Sequence, residues 1–94
     1  MLNDVKQSMH ILGDFKDGEI SENISAALED LRRRGVSAEA GSTSHLVIKA
    51  VELYCKWMED YMGYGERWYS HYEKLAVAMS MAEDYASEEY WNRS

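Results

Sequence analysis

The chain contains no proline in 94 residues, and this constrains its fold more than any other feature. Proline breaks helices because it lacks a backbone N–H and its ring clashes with the preceding turn. Without it, helices can run long, and their ends must come from glycine and polar caps. The glycines fall into three groups, Gly13 with Gly18, Gly35 with Gly41, and Gly63 with Gly65, and these divide the chain into four segments.

Each segment carries a helical repeat. In 2–12, Leu2, Val5, Met9 and Leu12 are spaced 3, 4 and 3, which puts them on one helical face. Asn3 or Asp4 can serve its first turn, and Gly13-Asp14 stops it. Segment 13–18 is polar and reads as a loop. In 17–35, Ile20, Ile24, Ala27, Leu28 and Leu31 form an apolar stripe. Glu19 and Glu22 sit near the positive end of that helix dipole, Arg32, Arg33 and Arg34 near the negative end, and Gly35 suits the position just past the last turn. Segment 36–43 reads as a loop. Ser42, Thr43 or Ser44 caps a third helix running to about residue 62, apolar over more than half its circumference and therefore expected at the centre. Gly63-Tyr64-Gly65 is short enough to make an antiparallel helical hairpin with a fourth helix, from residue 66 to at least 86. Trp68, Tyr72, Leu75, Ala76, Met79, Ala82 and Ala86 line its inner face. No internal repeat and no sustained strand-like alternation is present. The expected fold is all-α, a small bundle of about four helices built on a long central hairpin. The expected organisation is one helical domain, 1–86, and a tail, 87–94, that docks on a partner.

A domain of this size buries only roughly two-thirds of its unfolded surface, so it is marginal when alone. Net charge is −7, from 10 basic and 17 acidic groups. Nucleic-acid binding draws most of its affinity from lysine and arginine on phosphates, and this chain lacks that surplus. Cys55 is the only cysteine, so no intrachain disulfide can form, which suits a reducing compartment. Between Tyr54 and Trp57 it reads as a buried thiol rather than a reactive one. No apolar run reaches the ~18 residues of a membrane span, so a soluble cytoplasmic chain without membrane contact is expected.

The residues offer no constellation for catalysis. His10, His45 and His71 include no i, i+4 pair, and there is no second cysteine to complete a metal site. Glu59-Asp60, Glu83-Asp84 and Glu88-Glu89 are adjacent, and helical neighbours point about 100° apart, so they read as solvated acidic faces. The expectation is a protein that is not an enzyme and uses no cofactor or metal. Arg32, Arg33 and Arg34 complement a helix dipole and also offer a docking point for an acidic partner, another copy of the chain included. Aromatics are the unusual feature: Tyr54, Trp57, Tyr61, Tyr64, Trp68, Tyr69 and Tyr72 crowd into 19 residues. Such a stripe is core first, but one small hairpin has little room for all seven. The interface candidates are therefore Arg32, Arg33, Arg34, Tyr64, Trp68, Tyr69, Tyr85, Tyr90 and Trp91.

The order of elements resembles a known family. It comprises a short first helix with Leu2-x-x-Val5-Lys6, a Gly-Asp loop, an amphipathic helix ending in basic residues, a long helix with Ile48-Lys49-Ala50-Val51-x-x-Tyr54-x-Lys56-Trp57, and a last helix with Tyr72-x-x-Leu75. Together these resemble the head–tail connector (adaptor, DNA-packaging) proteins of tailed phages over residues 1–86. The resemblance implies a virion protein made in the host cytoplasm and placed in the neck. It implies a homo-oligomeric ring of about a dozen copies beneath the portal protein, in contact with a downstream neck or tail-completion protein. DNA would pass through without specific binding, and segment 83–94 is expected to reach a neighbouring ring. The competing expectation is a small acidic inhibitor or regulator, DNA-mimicking or antitoxin-like, that binds one partner protein.

Overall fold

Two helices stop before the glycines that the sequence offers as stops. The computed structural model describes residues 1–39, 41 and 44–82. It is all-helical, with α1 (Leu2–Ser8), α2 (Asp17–Arg33), α3 (His45–Met58), a single 3-10 turn (Tyr61–Gly63) and α4 (Gly65–Met81). Among the described residues there is no strand.

The α1 and α2 ends share one device. After α2, Gly35 takes φ 90°, its N–H bonds to the Arg32 carbonyl at 3.0 Å, and the Val36 N–H reaches back to the Leu31 carbonyl at 2.9 Å. This is the paired hydrogen bonding of a left-handed helix cap. After α1 the same pair recurs, His10 to Gln7 at 3.2 Å and Ile11 to Lys6 at 2.9 Å, but the left-handed residue is His10, with φ 56°. The expected helix over 2–12 is therefore cut to Leu2–Ser8, and Leu12 leaves the apolar face to stand 86% exposed.

The third helix is likewise shorter than expected, ending at Met58 rather than about 62, because Asp60 turns left-handed at φ 48°. Its carboxylate then accepts the Gly65 N–H at 2.8 Å, so one residue ends α3 and caps the start of α4. A Cβ at Gly65 would lie 2.6 Å from Asp60 Oδ1, so a larger residue there would push the capping carboxylate aside. The third helix starts at His45, with Ser44 Oγ accepting from the Val47 N–H at 3.4 Å. The fourth ends at Met81, with Ala82 already extended at φ −92°, ψ 126°. The rest of the expected 66–86 helix, and the boundary drawn between 86 and 87, lie outside the described residues.

α3 is the centre of the bundle and packs against α1, α2 and α4. It buries Val47, Ala50, Val51, Leu53 and Cys55. From α2 come Ile20, Ile24, Ala27, Leu28 and Leu31, and from α4 Tyr72, Ala76 and Met79. Val5 and Met9 close one end, and Val36 and Ala38 bring the residues just after α2 onto the core. At roughly 25 cal/mol per Å² of apolar surface, each fully buried large side chain contributes about 1.5–3 kcal/mol.

Candidate functional site: contact surfaces

Only one of the seven crowded aromatics is fully buried. Tyr72 is enclosed, and Tyr54, Trp57, Tyr61 and Trp68 are half-buried. Tyr64 and Tyr69 are exposed at 49% and 38%. They form two flanks on the hairpin. On the first, Tyr54 meets Trp57 and Tyr72 edge-on at 5.3 and 5.2 Å, and Trp57 meets Tyr69 at 4.5 Å. On the second, Trp68 donates its indole N–H to the Tyr61 carbonyl at 2.9 Å, while Lys56 lies over the Trp68 and Tyr61 rings at 4.8 and 5.7 Å. Burial and the nearby Lys49 lower the Lys56 pKa, against an opposing pull from Glu52.

The first flank is anchored by a polar network. Asp30 Oδ2 accepts from the Tyr72 hydroxyl at 2.6 Å and from Arg34 Nε at 2.8 Å, and its Oδ1 accepts from Arg33 at 2.7 Å. Arg34 also pairs with Glu73, which accepts from Tyr69 at 2.9 Å. Burial alone would raise the Asp30 pKa, but the donors from Tyr72, Arg34 and Arg33 override it and hold the carboxyl below its ordinary value. Arg32 donates to the Ala38 carbonyl at 2.9 Å and lies 3.7 Å from Glu39. All three arginines of the basic run therefore already have partners inside the chain, and Arg33 and Arg32 remain the more exposed of them. Among the candidate interface residues, Tyr64 sits under the Arg67 guanidinium at 5.1 Å, and Trp68 and Tyr69 belong to opposite flanks. Tyr85, Tyr90 and Trp91 lie outside the described residues.

A surface absent from the sequence expectations appears where the 9–16 loop meets the α3–α4 turn. Phe15 and Met62 are 79% and 72% exposed, and with Leu12 they line a groove of about 440 Å³. A Lys16–Glu59 ion pair at 2.9 Å, within the groove wall, pins the loop to the end of α3. The spacing that suggested a longer first helix concealed it by assigning Leu12 to the core. A second groove, about 430 Å³, runs between α3 and α4 beside the Trp68 flank.

Cys55 is fully buried, with its thiol pushed up to about 12 by burial and by the neighbouring Glu59 and Glu52 carboxylates. Among the described residues no group of three His, Cys, Asp or Glu side chains could hold a metal ion, and no helix is long and apolar enough to cross a membrane. Comparison of the chain with protein-family models, with curated proteins and with solved structures found no match.

Proposed function

We propose that this chain is a structural subunit that works through contact with other protein subunits, as a head–tail connector of a tailed phage. The observation that carries this reading is the grouping of Leu12, Phe15 and Met62 on one exposed apolar groove. Contiguous exposed apolar surface on a small domain marks a place where another protein sits. The connector-like order of elements supports the same reading, since a short first helix, an amphipathic second helix ending in arginines and a central apolar third helix all occur. On this reading the protein forms a homo-oligomeric ring in the virion neck, between the portal protein and a downstream neck or tail-completion protein. It has no catalytic residue and no cofactor. The acidic surface repels phosphates, so DNA slides past it without sticking.

The test is co-purification with candidate portal proteins, followed by negative-stain microscopy. The expected result is a ring of the chain stacked on the portal. The Phe15→Ser, Met62→Ser double variant should keep the wild-type melting temperature and lose binding to the portal. A chain that ignores the portal and instead binds and blocks a single DNA-binding protein overturns the connector reading.

A further inference from the structure

We infer that the groove between α3 and α4 receives segment 83–94 from a second copy of this chain. The groove is lined by Leu46, Lys49, Leu53, Trp68, His71 and Leu75. Its volume, about 430 Å³, lies in the range of sites that enclose a compact ligand or anchor group.

Charge selects the occupant. The basic side chains of the first half, Lys6, Lys16, Arg32, Arg33 and Arg34, are each ion-paired within the chain. The described basic side chains without a carboxylate in ion-pair range are Lys49, Lys56, Arg67 and Lys74, all on α3 and α4. Lys49 lies in the groove wall and Lys56 lies over the Trp68 ring that forms it. Glu52, the one carboxylate on this part of α3, offsets them only in part. A protein of net charge −7 thus presents cations and apolar surface together on this face. Segment 83–94 has the complementary composition: Tyr85, Tyr90 and Trp91 as apolar anchors among Glu83, Asp84, Glu88 and Glu89. Aromatic anchors in a pocket with opposite charges around them are the usual composition of a strong contact.

Chain direction selects the second copy over the first. α4 leads past Leu75 to Met81, and Ala82 is extended. Filling its own groove would require the chain to reverse and run back along α4, whereas the tail of a second copy enters without that reversal. A tail-into-groove contact between copies is head-to-tail, and such contacts close into rings or run on as filaments.

The test uses the 94-residue chain and two variants. The groove variant, Lys49→Glu with Lys56→Glu, keeps its tail. The tail variant, Tyr90→Ser with Trp91→Ser, keeps its groove and leaves every described helix untouched. Circular dichroism melting establishes that both fold. In sedimentation at about 0.2 mM, where a contact of micromolar strength is filled, the wild type self-associates and added salt weakens it. Each variant alone loses at least about tenfold in association. Mixed together, the two variants form a one-to-one dimer that grows no further, because only one intact tail and one intact groove remain to meet. A monomeric wild type, a groove variant that associates like the wild type, or a mixture without dimer each overturns the inference. So does a single-stranded oligonucleotide, bound through Lys49 and Lys56, in place of the dimer. The inference deepens the homo-oligomer of the connector reading yet fails separately from it. Portal binding by a chain that fails the mixing test removes only the inference, and mixing without portal binding removes only the connector.

Discussion

Asp30 is the residue that ties α2 to α4, through Tyr72, and to the end of its own helix, through Arg33 and Arg34. A hydrogen bond from a buried hydroxyl to a carboxylate is worth about 1.5–3 kcal/mol, and Tyr72→Phe leaves Asp30 its two arginines, so the expected loss is about 1–2 kcal/mol in urea denaturation. The folded Asp30 carboxyl titrates below its unfolded value, so the unfolded chain takes up the proton first. Stability from this network is therefore complete above the unfolded pKa of about 4 and is lost as pH falls through the lower folded value. An acid titration of Tyr72→Phe should show a shallower loss than the wild type. Cys55 has the opposite sign. Its folded pKa, about 12, is raised above the ordinary 9.0, so its contribution holds below pH 9 and is lost as pH rises towards 12. At pH 8 a thiol reagent should label the native protein at least about 100-fold more slowly than the urea-unfolded one, since only opening exposes the sulfur.

At the scale of the element, the helix ends are where local chemistry decides the outcome. Gly35 and His10 occupy the same left-handed position in equivalent caps. Gly35→Ala places a Cβ in that conformation and should cost about 1–2 kcal/mol. His10→Gly relieves the same strain and should leave the melting temperature unchanged or raise it, because the loss of strain offsets the extra freedom of the unfolded chain. Asp60 combines left-handed backbone with a cap on Gly65. Asp60→Ala keeps the strain and loses the cap, for an expected loss of about 1–2 kcal/mol, whereas Asp60→Asn retains an acceptor and should lose less than half of that. Equal losses for the two would mean that the carboxylate charge, rather than the hydrogen bond, holds the turn.

At the scale of the whole molecule, α3 is shared by every other helix, and what the bundle leaves over faces outward. The core takes Tyr72 and the aliphatic residues, while Leu12, Phe15 and Met62 gather at one end and the Trp68 flank borders a groove along one side. These two surfaces have different characters. The first is apolar around an internal ion pair; the second joins apolar walls to Lys49 and to the nearby Lys56, neither with a carboxylate in ion-pair range. Their expected responses to salt differ accordingly. Contacts through the Phe15 end should persist at about 0.5 M salt, while contacts through the Lys49 face should weaken, because screening shortens the reach of exposed charges. Portal co-purification, which reads the Phe15 end, and sedimentation of the chain alone, which reads the Lys49 face, separate them when each is run across a salt series.

The sequence by itself determined the helical class, the four segments, the α2 boundaries and most of the core. Periodicity of apolar residues with no proline leaves no other fold that buries Ile20, Ile24, Leu28 and Leu31 on one face. It also marked the Tyr54–Tyr72 stretch as more aromatic than one hairpin can hide. Tertiary structure decided the rest. Whether Gly13 or His10 ends α1, and whether Gly63 or Asp60 ends α3, depends on what the following residues pack or bond against, since histidine and aspartate tolerate left-handed backbone when such contacts offset its strain. That choice moves Leu12 from its expected helix face, and Met62 from the expected end of the third helix, to an exposed groove. Likewise, no spacing rule pairs Asp30 with Tyr72 across 42 positions. Only the packing of α2 beside α4 brings them together, occupying Arg33 and Arg34 within the chain and leaving the cations without a carboxylate partner on α3 and α4.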